Sequence, residues 1–227
     1  MKKDNSLTIQ LTYVDRQILN SYCDMLDGLS QYLGSGYELV LHSLESLDYS
    51  VIKVLNGFHT GRQVGAPITD MALSILKKAQ MSDDPFAPST YYTNNQKGEP
   101  MRSTTLCIKG ENDRIIGMLC INFYLNTTMK DFFENLFPAA NPAATETPAP
   151  METFSSNSDD LIEQLVQQTR EEVMADSSVT ASNKNKEIIK RLHHQGVYNL
   201  KDAVVQTADL LNISKNTVYM HLRNIND

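Results

Sequence analysis

Between residues 15 and 33 the apolar positions Ile18, Leu19, Tyr22, Met25, Leu26, Leu29 and Leu33 recur at helical spacing, and Gly34 follows as a natural stop. The spacing predicts an amphipathic helix. Beyond Gly36 the period changes: YELVLHSL and YSVIKVLNG are β-branched and apolar runs divided by the polar ESLD, the pattern of a β-hairpin. A glycine-spaced loop, GFHTGRQVGAP, comes next, and Pro67 is expected to open a second helix whose apolar face holds Ile68, Met71, Ala72, Ile75 and Leu76. Residues 81–90 read as a loop. Three further strands are expected at 91–94, 102–109 and 115–125, the last two joined by the turn-like GENDR. This order predicts an α+β domain, an antiparallel sheet with helices packed on one face.

The alternation then stops. PAANPAATETPAPMETFSSNS, residues 138–158, holds four of the chain's eight prolines among Ala, Thr and Ser. Such a stretch buries too little apolar surface to offset its ordering entropy, and its prolines keep it extended. The expected divisions are a sensor domain at 1–137, a linker at 138–158, a connecting amphipathic helix at 159–183 and an all-α helix-turn-helix domain at 184–227. In the connecting helix, Ser158, Asp159 and Asp160 suit a helix start, and Leu161, Ile162, Leu165, Val166, Thr169 and Val173 form one stripe. That stripe needs a partner, either its own domain or a second copy of the chain. Residues 184–195 carry Ile188, Ile189 and Leu192 at helical spacing and meet a stop at Gly196.

Residues 200–226, LKDAVVQTADLLNISKNTVYMHLRNIN, read as helix, tight turn, helix, with the helices expected at Lys201–Leu211 and Lys215–Asn224. A helix-turn-helix needs a small residue where its helices cross and apolar residues in the angle between them. Ala208 fits the crossing; Ile213, Val218, Leu211 and Leu222 fit the wedge. Asn212 stands at the corner, where a left-handed Asn is tolerated, and Ser214 is placed to cap the second helix. At 100 degrees per residue, the face opposite Val218 and Leu222 contains Asn216, Tyr219, Met220 and Arg223. Asn can read adenine and Arg guanine in bidentate fashion, while Ser214, Lys215 and Thr217 at the helix start suit phosphate. An ordinary helical hairpin with a polar outer face is the bland alternative.

Charge bears on the choice. The net charge of −7 argues at first against a nucleic-acid partner, yet residues 1–150 carry −4, residues 151–183 carry −6 and residues 184–227 carry +3. A basic end on an acidic chain suits one small module that meets phosphate. Hydrophobic residues are 41% and charged ones 21%, which excludes wholesale disorder. The longest apolar run, 115–125 with Asn122 inside it, falls short of the roughly 18 to 20 residues that cross a bilayer. MKKDNSLTIQ has no apolar signal region, so a cytoplasmic location and no membrane partner are expected. Cys23, Cys107 and Cys120 form no CxxC pair and read as inert thiols, and adjacent His193 and His194 offer no metal-ligand spacing.

The string ISKNTVYMHLRNI resembles the C-terminal helix-turn-helix of the YheO-like (DauR-like) PAS regulators, a bacterial family. YELVLHSLESLDYSVIKVLNGFHTGRQVGAPITDMAL looks like that family's sensor domain, and RIIGMLCINFYLN is similar to its closing strand. Together they span nearly the whole chain in the family's order. The resemblance implies a PAS-like fold for the first domain and a one-component transcription factor, a homodimer or higher homo-oligomer that binds double-stranded DNA.

A regulator of this kind needs a small-molecule effector that binds its two states unequally. NGFHTGRQVGAPITD sets Asn56, His59, Thr60, Arg62, Thr69 and Asp70 around three glycines just before a helix N-terminus. Backbone amides there favour an anion such as a carboxylate, with Arg62 adding a bidentate contact; the expected effector is a small molecule, for which an amino-acid-like compound is one candidate. His42 and Asn122 are the other polar groups expected to point inward. Each of these residues also has a bland reading, as loop former, dipole compensator or satisfied core hydrogen-bonder. No cofactor motif and no catalytic site is expected: GxSxG, HExxH, GxxxxGK[ST] and GxGxxG are all missing. An adaptor that docks partners through the acidic helix at 159–175 is the alternative to a regulator.

Overall fold

The computed structural model describes residues 7–136 and 152–225, so most of the linker expected at 138–158 lies outside the described residues. The chain divides into two compact units. The first opens with α1, Tyr13–Leu33, followed by β1, Tyr37–Ser43, and β2, Val51–Leu55. Helix α2, Asp70–Met81, precedes β3, Ser89–Asn94, β4, Pro100–Lys109, and β5, Ile115–Tyr124. The sheet is antiparallel in the order β2-β1-β5-β4-β3, so the strand nearest the start of the chain pairs with the strand nearest its end.

The expected α+β architecture with a PAS-like antiparallel sheet is present, with three differences. Helices cover both faces of the sheet instead of one. Leu39, Leu41 and Leu119 meet α1 through Leu19 and Leu26, while Leu44 and Met118 on the other face meet Ala72, Ile75 and Leu76 of α2. The reason lies in β1, where every residue after Tyr37 is buried, and a strand buried on both sides needs cover on both. Helix α2 begins at Asp70, not at Pro67, because Thr69 is extended and its hydroxyl accepts the N–H of Ala72 as an N-cap. A short helix absent from the sequence reading, α3, Met129–Leu136, follows β5 and rests Phe132 edge-on against Phe123.

Asp15 ties the start of α1 to the β4–β5 turn. Its carboxylate accepts the backbone N–H groups of Thr12 at 3.0 Å and Glu111 at 2.9 Å, and Arg114 pairs with it at 2.5 Å. Burial works to raise its pKa, but these donors outweigh burial and hold the carboxyl below its usual range.

The second unit contains α4, Ser158–Ala175, α5, Lys184–His194, α6, Ala203–Leu210, and α7, Lys215–Arg223. The α4 stripe finds its partner within its own unit: Ile162, Val166 and Val173 are buried against Ile188 and Leu192 of α5, Val197 and Ala203. Arg191 reinforces the join by pairing with Glu187 at 3.1 Å and Asp176 at 2.8 Å. Gly196 is left-handed, as a helix stop requires, while Asp202 is also left-handed and delays α6 to Ala203.

Replacing Asp15 by Ala is expected to cost about 2 to 4 kcal/mol, since it strands two backbone donors and an arginine. Urea unfolding of the full chain, followed on the transition of the first unit, measures this. A loss under about 1 kcal/mol would mean that the tie is dispensable.

Candidate ligand cavity and nucleic-acid interface

The register of the sheet assembles one polar row. Glu38 on β1 lies opposite Asn122 on β5, Asn122 opposite Ser103 on β4, and Ser103 opposite Tyr91 on β3. Registered partners point to the same side of a sheet, so these four share the face turned away from α1. All four line a cavity of about 780 Å³, a size suited to a small molecule. Its outer wall is the segment from Thr60 to Met71, which connects β2 to α2. Gly57 makes the bend: a Cβ there would stand 2.4 Å from the carbonyl oxygen of Arg62.

Glu38 is completely buried. Its Oε2 accepts the Thr60 N–H at 3.2 Å and the Thr60 hydroxyl at 2.7 Å, and its Oε1 accepts the Asn122 amide at 2.9 Å. Arg62, half-buried in the cavity wall, donates from Nη2 to the Pro67 carbonyl at 2.7 Å. Burial lowers its pKa, opposed by Cys120, Glu38 and Tyr91, and a guanidinium remains charged throughout. Burial likewise raises Tyr91, whose hydroxyl meets Thr105 at 3.2 Å.

Of the residues singled out for a ligand, Thr60, Arg62, Thr69, Asp70 and Asn122 line this cavity. The α2 N-terminus offers little to an anion, because Thr69 accepts the Ala72 N–H and Asp70 accepts that of Met71. Asn56, His59 and His42 lie outside the lining. Asn56 is left-handed and donates to the carbonyls of Gly34 and Tyr37, anchoring the segment to the α1–β1 turn. His59 meets the Ser35 carbonyl at 2.6 Å through Nε2 and stacks on Phe58 and Tyr124. His42 is fully buried with Nδ1 on the Ser50 hydroxyl at 2.9 Å and Nε2 without a partner; burial, then the charge of Arg62, pushes its pKa down to about 3. The sequence reading missed Glu38, Tyr91 and Ser103. Glu38 gave the same signal as Asn122, a polar residue amid apolar strand positions.

Cys120 is buried and the other two cysteines are partly so; burial raises all three thiols, Cys107 to about 11. Such thiols are poor nucleophiles at neutral pH. Among the described residues, no three His, Cys, Asp or Glu side chains cluster as a metal site, and no helix is long and apolar enough to cross a membrane.

In the second unit Ala208 sits at the crossing of α6 and α7, buried with Ile189 and Val218, and Ile213, Leu211 and Leu222 pack around them. Asn212 takes the left-handed corner, and Ser214 accepts the Thr217 N–H at 3.1 Å as the cap of α7. Asn216, Tyr219, Met220 and Arg223 are exposed along α7, as are Ser214 and Lys215 at its start. Thr217 is half-buried, its hydroxyl held by Ser214 at 2.8 Å.

A PAS-type sheet with a small-molecule-sized cavity, accompanied by a helix-turn-helix domain, defines a DNA-binding transcriptional regulator. The chain belongs to the YheO-like PAS domain family, which matches residues 13–138, and a helix-turn-helix domain matches residues 161–223. The second match begins on α4, consistent with the core that α4 shares with α5. The chain is 40% identical to YheO of Escherichia coli K12 over 209 residues, covering 92% of this chain and 85% of that protein. It is 23% identical to the transcriptional regulator DauR of Pseudomonas aeruginosa over 211 residues, 92% of this chain and 95% of that one. Among solved structures, the PAS domain of a Colwellia psychrerythraea protein is similar at 19% identity, covering 46% of this chain and 100% of that chain with a TM-score of 0.33.

His42 makes stability pH-dependent. Its pKa falls from 6.5 to about 3 on folding, so between those values the unfolded chain binds the extra proton. Stability contributed by the neutral ring is full above pH 6.5 and is lost as pH falls, at about 1.4 kcal/mol per unit. Denaturant titrations of the native chain and His42→Gln at pH 4, 5, 6 and 7 should show a shallower acid slope in the variant; equal slopes would exonerate the histidine.

Proposed function

We propose that this chain is a cytoplasmic one-component transcription regulator without enzymatic activity, whose affinity for operator DNA changes when a small molecule of amino-acid-like polarity occupies the cavity. The observation that carries the DNA half of this reading is the exposed row Asn216, Tyr219, Met220 and Arg223 on a capped helix crossing at Ala208. These side chains are free of the core, and their chemistry matches adenine, thymine methyl and guanine edges. Ser214, Lys215 and Thr217 are assigned to the phosphate side of the contact. The same role for the relative DauR supports the reading. An adaptor acting through the acidic helix at 159–175 is less favoured, because its apolar stripe is used by its own unit and only the acidic outer face is left for a partner.

The effector half rests on the cavity, with Thr60, Arg62, Thr69, Asp70 and Asn122 as lining and His42, Asn56 and His59 as supports of its walls. A homodimer or higher homo-oligomer would read a pseudo-palindromic site with half-sites about 34 to 36 Å apart, or a multiple of that.

Binding of the purified protein to its own upstream DNA and to random duplex over a salt series tests the proposal. Affinity should fall steeply with salt on both duplexes, through counterion release, and be far tighter on the upstream sequence. Arg223→Ala is expected to cost about 1 to 3 kcal/mol on the specific site and much less on random duplex. Equal weakening on both would contradict base readout. Arg62→Ala should abolish the effector response and leave DNA affinity unchanged; an intact response would remove the cavity from the mechanism.

A further inference from the structure

We infer that the cavity of the sheet unit is built for a zwitterion, with Glu38 receiving an ammonium and Arg62 a carboxylate, so that neither charge alone suffices. This rests on the sensor reading given above.

The argument counts unused bonding capacity. A carboxylate offers about four acceptor positions, and Glu38 fills three of them with neutral donors, two from Thr60 and one from Asn122. Among the described residues it has no ion pair, although it is wholly buried. A buried charge held only by neutral donors is costly, and one further charged donor would offset that cost. Arg62 is in the mirror situation: a partly buried guanidinium with one donor on the Pro67 carbonyl and no carboxylate within ion-pair distance among the described residues.

The two charges line the same cavity, near enough for Glu38 to work against the lowering of the Arg62 pKa, yet they form no ion pair. The lining also holds Ser103, on the same row of the sheet as Glu38 and Asn122, which is 1% exposed and whose hydroxyl has no partner among the described residues. One free acceptor position on an anion, free N–H groups on a cation and one unpaired buried hydroxyl therefore belong to residues that line a single cavity. The α2 N-terminus, already capped by Thr69 and Asp70, leaves Arg62 as the anion's main partner. A ligand with a single charge would desolvate the opposite protein charge and leave it unpaired, and sites of that kind reject the incomplete analogue strongly.

The test uses the full-length protein and a panel of the common α-amino acids in both configurations, screened by thermal shift and then by calorimetry. For the tightest binder, the deaminated acid and the decarboxylated amine are measured beside it. Each single-charge analogue should bind at least about a hundredfold more weakly than the zwitterion. Glu38→Gln, which keeps the bulk and an acceptor for Thr60, should narrow the gap between zwitterion and deaminated acid to less than about tenfold. Arg62→Gln should weaken zwitterion and acid together; it lies on the wall segment and keeps the result readable if Glu38→Gln fails to fold.

Equal binding of the deaminated acid, with Glu38→Gln unchanged, would overturn the zwitterion assignment and leave a sensor for carboxylates. Binding only by uncharged members of a wider metabolite library would overturn it too, again with the sensor intact. Silence of the amino-acid panel and the library alike would count against both the assignment and the sensor reading.

Discussion

The pairing of β1 with β5 is the contact on which the first unit depends. Seven registered pairs, from Tyr37 opposite Phe123 to Ser43 opposite Gly117, join strands that are about eighty residues apart in the chain. Closing so long a loop has an entropic cost, and the strand that closes it must recover that cost by burial. It does so on both sides, since β1 is buried from Glu38 to Ser43 and lies beneath α1 on one face and the cavity and α2 on the other. A one-residue slip would turn Leu39 and Leu41 into the cavity and Glu38 into the α1 interface. The same register that makes the core therefore makes the site.

That double duty explains which residues the strand can carry. On the α1 side the positions are leucines, packed against Leu19 and Leu26. On the other side they are Glu38, Val40 and His42, and each polar one is matched: Glu38 by Thr60 and Asn122, His42 by Ser50. Most buried polar groups need such partners, and of these two side chains only Nε2 of His42 is left without one. The wall segment is secured in the same way, by Asn56 on two carbonyls at one end and Thr69 at the other. The cavity is thus bordered by fixed bonds and not by loosely packed loop.

Helices and turns were legible because their signals are local. The α1 stripe, the Gly196 stop, the Asn212 corner and the Ser214 cap each need only a few neighbouring residues to be recognised. The pairing of β1 with β5 has no such signal, since alternation in a strand says which residues share a face and nothing about which strand lies beside it. Glu38, Ser103 and Tyr91 went unread for that reason; the row they form exists only across three pairings. Proline suits a first turn and so points to Pro67 as the start of α2, whereas the extended Thr69, whose hydroxyl accepts the Ala72 N–H, decides it. The partner of α4 could not be chosen from its stripe, as an apolar face fits any apolar face. It took the positions of Ile188 and Leu192 to settle it.

A ligand can shift a regulator only through contacts that differ between its two states. Glu38 is where such a difference can be generated, because it holds the wall segment through Thr60 and strand β5 through Asn122 with the same carboxylate. On the proposed reading, an ammonium drawn to that carboxylate would compete for its geometry at both attachments. β5 continues within a few residues into α3, whose Phe132 rests on Phe123, the neighbour of Asn122. The path from the cavity to α3 is therefore one side chain and one strand long, which would give the charge of the proposed ligand a short mechanical route out of the site.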